Sequence, residues 1–387
     1  MANNNDNKVL NVPNLRFPEF TGEWKQTKFK DVCKVETGNK NTQDKVEDGL
    51  YPFYVRSQIV ERINAWNFDG EAILTAGDGV GVGKVFHYSI GKIGVHQRVY
   101  ILSGFKCDGK YLYNYFSSRF YNRVKRLSAK NSVDSVRMEM ITEMPLSLPS
   151  LEEQNKIGRL LSLLEDRIAT QNKIIDRLQS LIKGLNDYIQ NSIYGEVVCF
   201  SELGEPYSGL SGKIGDDFGT GKPFITYMNV YQNTYVSDKE VGLVKISANE
   251  KQNHVRYGDA LFTLSSETPE EVGMGAVYLG NEEELYLNSF CFGVHINDSY
   301  HVHPQYLAYL ISSTNFRKSV YPLAQGSTRF NLQKNDFMRM RFTIPELSIQ
   351  KRIAETLDNI SNRLAIEQQL QHLYIQQKQH LLCQMFI

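Results

Sequence analysis

Gly77–Lys84 reads GDGVGVGK, and of all stretches in the chain it comes nearest to a phosphate-binding loop. Such a loop needs Gly-x4-Gly-Lys followed by Ser or Thr, so that backbone amides cradle phosphates and a hydroxyl reaches magnesium. Here Asp78 stands where the first glycine belongs and Val85 where the hydroxyl belongs. The spacing of a dinucleotide fingerprint is missing as well, so the stretch reads as a tight turn between strands. Cys291, His295, His301 and His303 match no zinc spacing, and no C-x-x-C accompanies them. Carboxylates are plentiful, yet none is paired with a recognisable nucleophile or base. The [DNS]-P-P-[YFW] tetrapeptide with which adenine and cytosine N-methyltransferases grip a flipped base is absent too. The expectation is a chain with no catalytic residues and no metal of its own.

Charge offers a different chemistry. Arg119, Arg123, Lys125, Arg126, Lys130 and Arg137 stand against Asp134 alone. Later, Arg317, Lys318, Arg329, Lys334, Arg339 and Arg341 stand against Asp336 alone. One basic run is usually a solvated face. Two at matching places, each joined to a loop of small polar residues, read as paired anion-binding surfaces. Those loops are SAKNS, with Asn131 and Ser132, and QGSTRFN, with Ser327, Thr328, Arg329 and Asn331. Amides and hydroxyls there suit phosphates, while Arg and Asn can reach base edges.

Whatever positions these loops is built twice. Pro149, Leu151, Gln154 and Ile157 fall on Pro345, Leu347, Gln350 and Ile353, and the same offset holds through Leu161/Leu357, Arg167/Arg363 and Leu185/Leu381. Eight identities on one periodic pattern, Ala169/Ala365 among them, make a repeat. After Pro149 the apolar positions Ile157, Leu161, Leu164, Ile168, Ile175 and Leu178 alternate spacings of four and three, with Gln171 as the polar member of the seam. That is a coiled-coil seam, and at 1.5 Å per residue it predicts a rod of about 60 Å. The second copy holds register through Ile353, Leu357, Ile360 and Leu364, then becomes polar at Glu367, Gln371 and Lys378. Two narrow apolar seams must be covered, and an antiparallel pair is the simplest closure.

The intervening regions repeat as well. Pro52-Phe53 aligns with Pro223-Phe224, DGEAILTAGDG with YGDALFTLSSE, and LYNYFSSRF with LAYLISSTNF. The offset widens along the chain and never shrinks, so the second copy carries extra residues, part of them in the acidic stretch Glu267–Glu284. Short β-rich runs (EAILT, KVFHYS, QRVYILS) precede an amphipathic aromatic helix (KYLYNYFSSRFYNRVKRL; PQYLAYLISSTNFRKSV), and a last strand (MPLSLP; MRFTIP) feeds each long helix. Strands precede helices without βαβ alternation, which predicts an α+β fold. The order is a globular domain over 1–149, a long helix over 150–192, a second domain over 193–345 and a second helix over 346–387, a pseudo-twofold tandem repeat.

At 387 residues there is room for two cores. The 43 basic and 43 acidic side chains cancel, so net charge favours neither nucleic acid nor membrane. The N-terminus shows no secretory signal, and no run approaches the roughly 20 apolar residues of a membrane helix. Five cysteines without C-x-x-C read as reduced, buried thiols in a cytoplasmic protein.

LRFPEFTGEWK (Leu15–Lys25), the LPSLEEQNKI boundary and the QGSTRF…FTIP…Q–RI boundary are the features by which the chain resembles the specificity subunit of type I DNA restriction-modification complexes. The resemblance covers essentially the whole chain. It implies that the globular units are target recognition domains, each reading one half of a split double-stranded DNA site. It also implies partners: two modification subunits docked largely on the helices, supplying S-adenosylmethionine-dependent adenine N6 methylation, and up to two ATP- and Mg-dependent translocase/endonuclease subunits. Cofactors then belong to those chains and none to this one. Ser348-Ile349 replaces Glu152-Glu153 in the second copy, so the two helices need not be equivalent docking surfaces. The competing reading is a coiled-coil adaptor that gathers proteins and never touches DNA.

Overall fold

A computed structural model describes residues 11–128, 135–237, 239–297 and 301–387. They form two compact units, Met1–Asn172 with Gln369–Ile387 and Lys173–Gln368.

In the first unit six strands run in the order Lys34–Thr37, Val99–Ser103, Phe68–Ala76, Phe86–Val95, Tyr51–Tyr54, Glu61–Ile63. Neighbours are antiparallel except Tyr51–Tyr54, which runs parallel to Phe86–Val95 with Phe53 opposite Gly94. A side chain at Gly94 would place its Cβ 2.6 Å from Ile63 Cγ2, so this crossing needs bare backbone. The second unit repeats the scheme in two sheets. Gly204–Ser208, Cys291–Ile296, Ala260–Thr263 and Gly275–Val277 form one; Val241–Val244, Phe218–Ile225 and Tyr286–Leu287 form the other. Its parallel strand pair sets Phe224 opposite Tyr286. The Pro-Phe match in the sequence is therefore a repeated strand pairing. The α+β expectation holds.

Each unit packs an aromatic helical segment against a sheet. In the first unit Gly109–Leu127 is capped by Asp108, whose carboxylate accepts from Tyr111 N at 2.6 Å. It buries Tyr111, Leu112, Tyr115, Phe116, Phe120 and Val124. The matching segment of the second unit, read as one helix from its periodicity, is two: Pro304–Ser312 and Thr314–Val320. The break has a local cause. Ser313 Oγ accepts from Phe316 N, and Asp187 of the long helix accepts from both Thr314 N and Thr314 Oγ1 at 2.7 Å, so a new helix N-terminus is capped there.

Strands Pro145–Leu148 and Arg341–Ile344 lead into the long helices Leu151–Asn191 and Leu347–Gln384. The repeated Pro and Gln are explained at these entrances. Gln154 Nε2 donates to Pro149 O at 2.9 Å while its Oε1 accepts from Asp108 N at 3.0 Å. Gln350 does the same with Pro345 O and His303 N, both at 2.8 Å. Asp108 and His303 are the N-caps of the aromatic helices, so one amide ties the start of the long helix to the start of the shorter one. Both glutamines are buried, and the amide offers the donor and the acceptor together at the reach these two bonds need.

Within each unit the start of one long helix packs with the end of the other, antiparallel. Ile157 and Leu161 share the first core with Leu381, Leu382, Met385 and Phe386. Ile353 and Leu357 share the second with Leu185 and Ile189. Leu164 and Ile175 are buried too, while Ile168, Leu178, Ile360 and Leu364 are half-buried. The polar part of the second seam is paired: Lys378 meets Glu165 at 2.6 Å, and Gln371 donates to Asn172. The change from Glu153 to Ile349 also has a reason. Glu153, fully buried, takes a two-pronged ion pair from Arg16 at 2.7 Å, using the LRFPEF segment.

The cysteines are all free, but they are not uniformly buried as expected. Cys33, Cys199 and Cys291 are, whereas Cys107 is half-buried and Cys383, near the end of the second long helix, is exposed. Among the described residues no helix is long and apolar enough to cross a membrane.

Gln154→Ala or Gln350→Ala leaves a buried proline carbonyl and an N-cap amide unpaired. Each should lower stability by about 2–4 kcal/mol. Urea unfolding measures this, and a loss below about 0.5 kcal/mol would show the clasp to be incidental.

Candidate nucleic-acid interface

The aromatic helix of the first unit turns its basic residues away from the core. Arg119 lies over the Tyr115 ring, 5.2 Å from the centroid. Together with Arg123, Arg126 and Asn122 it lines a cleft of about 590 Å³. Lys125 and Arg126 are exposed. Arg123 is engaged: Nε donates to Met140 O at 2.8 Å and Nη2 to Glu143 O at 2.9 Å. Burial lowers its pKa, and the neighbouring Arg126 charge lowers it further. Glu143 itself sits between Lys28 and Lys30, whose hydrogen bonds hold its carboxyl down at about 2. Lys130, Asn131 and Ser132 lie outside the described residues.

In the second unit Ala324–Gln325 and Phe330–Leu332 form a hairpin whose second strand pairs with Ser265–Ser266. The turn presents Ser327, Thr328 and Arg329, all exposed, and Asn331 is exposed beside them. Arg329 lies 5.4 Å from the ring centroid of Phe290, itself an exposed aromatic. Thr328, Arg329 and Phe290 share a cleft of about 470 Å³ with Tyr227, Tyr231 and Glu267. Glu271 closes one wall, accepting from Tyr231 at 2.7 Å and from Ser266 at 2.9 Å; the Tyr231 bond is the main cause of its lowered pKa.

Not every basic residue faces outward. Arg317, 6% exposed, donates to the carbonyls of Gly273, Val272 and Glu270. Burial lowers its pKa, and the guanidinium is turned to these carbonyls within the fold. Its neighbour Lys318 is exposed. Lys334 is half-buried, 5.2 Å from the Phe292 ring centroid, and burial lowers its pKa. Charge counting marks all three alike; only packing separates them.

Of the residues that raised metal possibilities, His295 is engaged within the fold. His295 pairs with Asp259 at 2.9 Å and stacks on Tyr207. Among the described residues no group of three or more His, Cys, Asp or Glu could hold a metal ion. Two α+β units, each holding parts of two antiparallel long helices, define a duplicated scaffold, and the second presents a polar turn beside exposed basic side chains.

Comparison with known proteins makes that class specific. Residues 21–180 and 210–373 match the Type I restriction modification DNA specificity domain, and the chain belongs to that family as a specificity (S) subunit, the non-catalytic member of a type I restriction-modification complex. It is 25% identical over 392 residues to the type I restriction enzyme MjaVIII specificity subunit of Methanocaldococcus jannaschii, covering 91% of this chain and 89% of that one. The EcoDI specificity subunit of Escherichia coli is 26% identical over 161 residues, 42% of this chain and 35% of the relative. The crystal structure of the type I S subunit from M. genitalium shares the fold, with a TM-score of 0.60 over 97% of this chain and 99% of that one at 13% identity.

Arg317→Met strips three carbonyls of their donor and should cost about 3–5 kcal/mol. Arg126→Ala, at an exposed position, should change stability by less than about 0.5 kcal/mol. Denaturant unfolding separates the two, and equal small effects would remove the structural role from Arg317.

Proposed function

We propose that the chain reads a two-part double-stranded DNA target, one half through each globular domain (1–149 and 193–345), with the long helices (150–192 and 346–387) setting the spacer. The observation that carries the reading is the second-unit cleft: an exposed guanidinium, Arg329, laid on an exposed ring, Phe290, beside small hydroxyl residues. Arg329 and Asn331 have the donors and acceptors to read purine edges, with Ser327 and Thr328 beside them. Arg119, Lys125, Arg126, Lys318 and Lys334 supply the positive charge that meets phosphates; Arg123 and Arg317 serve the fold instead.

Catalysis belongs to partners in a cytoplasmic complex. Two modification subunits supply adenine N6 methylation with S-adenosylmethionine, and up to two restriction subunits supply ATP- and Mg-dependent translocation and cleavage. The first long helix supports docking, because Ile174, Leu181 and Tyr188 recur at heptad spacing yet remain exposed.

Arg329→Ala, assembled with its modification subunits, should relax one base of one half-site by about 5- to 150-fold and leave the other half intact. Sequencing the methylated sites reads this directly. An adaptor that never touches DNA predicts no change, and loss at both halves would contradict the assignment of one half to each domain.

Spacing is tested separately. One heptad inserted near Gln171 and one near Glu367 keeps the seam within about 20° of phase. It adds about 10 Å to each helix, so the spacer should grow by about three base pairs. An unchanged spacer with full activity rules out the helices as the ruler.

A further inference from the structure

The loop GDGVGVGK binds no phosphate by its motif, but it does something particular: it lays one carboxylate between two arginines. Asp78 Oδ1 accepts from Arg56 Nη1 at 2.8 Å, and Oδ2 accepts from Arg98. Three segments meet there: the one following strand Tyr51–Tyr54, the hairpin joining Phe68–Ala76 to Phe86–Val95, and the turn before Val99–Ser103. The glycines make the approach possible. Gly77 N donates to Arg98 O at 2.8 Å, and a Cβ there would come within 3.0 Å of that oxygen and 3.2 Å of the Tyr100 ring. A Cβ at Gly81 would lie 2.5 Å from the Arg56 carbonyl oxygen. Gly81 leaves no room for a side chain against the Arg56 backbone, and Gly77 leaves little against Arg98.

The arrangement faces outward. Arg98 and Arg56 side chains are 59% and 43% exposed, whereas Asp78 beneath them is 21% exposed. At the tip of the same loop Val80 is 99% exposed, an apolar side chain that contributes nothing to the core. Burial pushes the Asp78 carboxyl up, but the hydrogen bonds from Arg56 and Arg98 outweigh it, so the group is held below the ordinary carboxylate range.

A carboxylate set beside an arginine weakens its pull on phosphate, since part of the charge is already balanced. What it supplies is direction: the guanidinium fork is fixed, and its remaining donors point away from the acid. Fixed forks suit the paired acceptors O6 and N7 of guanine, the commonest specific contact of arginine in the major groove. We propose that Arg56 and Arg98, positioned by Asp78, read guanine in the half-site of the first domain, with Val80 making the apolar contact at the loop tip. This rests on the reading of that domain as a DNA-recognition domain. The sequence match sets Ser266 opposite Asp78 in the second domain, so guanine reading by this device belongs to one half of the target only.

The experiment is the pattern of methylated sites produced by the full complex carrying Arg56→Ala, Arg98→Ala, Arg98→Lys or Asp78→Asn. Arg98→Lys keeps the charge and loses the fork. It should relax a guanine of the first half-site by about 5- to 150-fold with the second half unchanged, and the alanine variants should act at the same half. Asp78→Asn should relax the same half-site while duplex affinity holds or rises, because a negative charge has gone; a merely structural aspartate would lower affinity for every sequence. Wild-type discrimination in Arg98→Lys overturns the assignment, as does a loss of affinity spread evenly over all sequences. A wild-type complex that methylates no two-part site overturns the DNA reading and this assignment with it.

Discussion

Two buried glutamines hold the architecture to its sequence. Gln154 and Gln350 each close a bond to the proline carbonyl at the head of a long helix and another to the N-cap amide of an aromatic helix. Within each unit the start of the long helix is therefore held to the aromatic helix by side-chain bonds to the backbone as well as by apolar packing. A leucine there would pack but leave two backbone groups unpaired. A glutamate could accept but not donate. That is the physical content of the repeated Pro-x-Leu-x-x-Gln-x-x-Ile pattern.

From this constraint the rest follows in order. The clasp fixes the aromatic helix, whose buried face holds the sheet, whose connecting loops then carry the polar and basic side chains. The seams depend on it as well, because each helix enters its unit with Ile157 or Ile353 already turned into the core. Farther along, polar residues take over and are matched individually, as Lys378 is by Glu165. A seam of this composition specifies register more than it adds stability.

Much of the fold was legible. Heptad spacing, entry prolines and the tandem match point to both long helices, the second of which ends at Gln384 rather than at 387, and runs such as EAILT lie within strands. What stayed hidden needed a partner distant in sequence. The break at Ser313 depends on Asp187, and periodicity alone runs straight through it. Arg317 and Lys318 look alike as neighbours in a basic run, yet one points at carbonyls from the Glu270–Gly273 turn and the other at solvent. The glycine loop was correctly read as a turn, but nothing local announces that its aspartate meets Arg56 and Arg98. The glycines were the available signal, since so many in one hairpin imply another backbone passing close by.

Met385 and Phe386 are buried in the core of the first unit, with Phe386 edge-on to Tyr111 at 5.2 Å. On the ribosome this has a kinetic meaning. The strands and aromatic helix of the first unit emerge early, but the side chains that complete their core are translated only after the whole second unit. The loop closed by that contact is long, and its entropic cost falls late in synthesis. The unit made first is thus finished last, and an interrupted chain exposes apolar surface around Tyr111 and Tyr115 until those residues arrive.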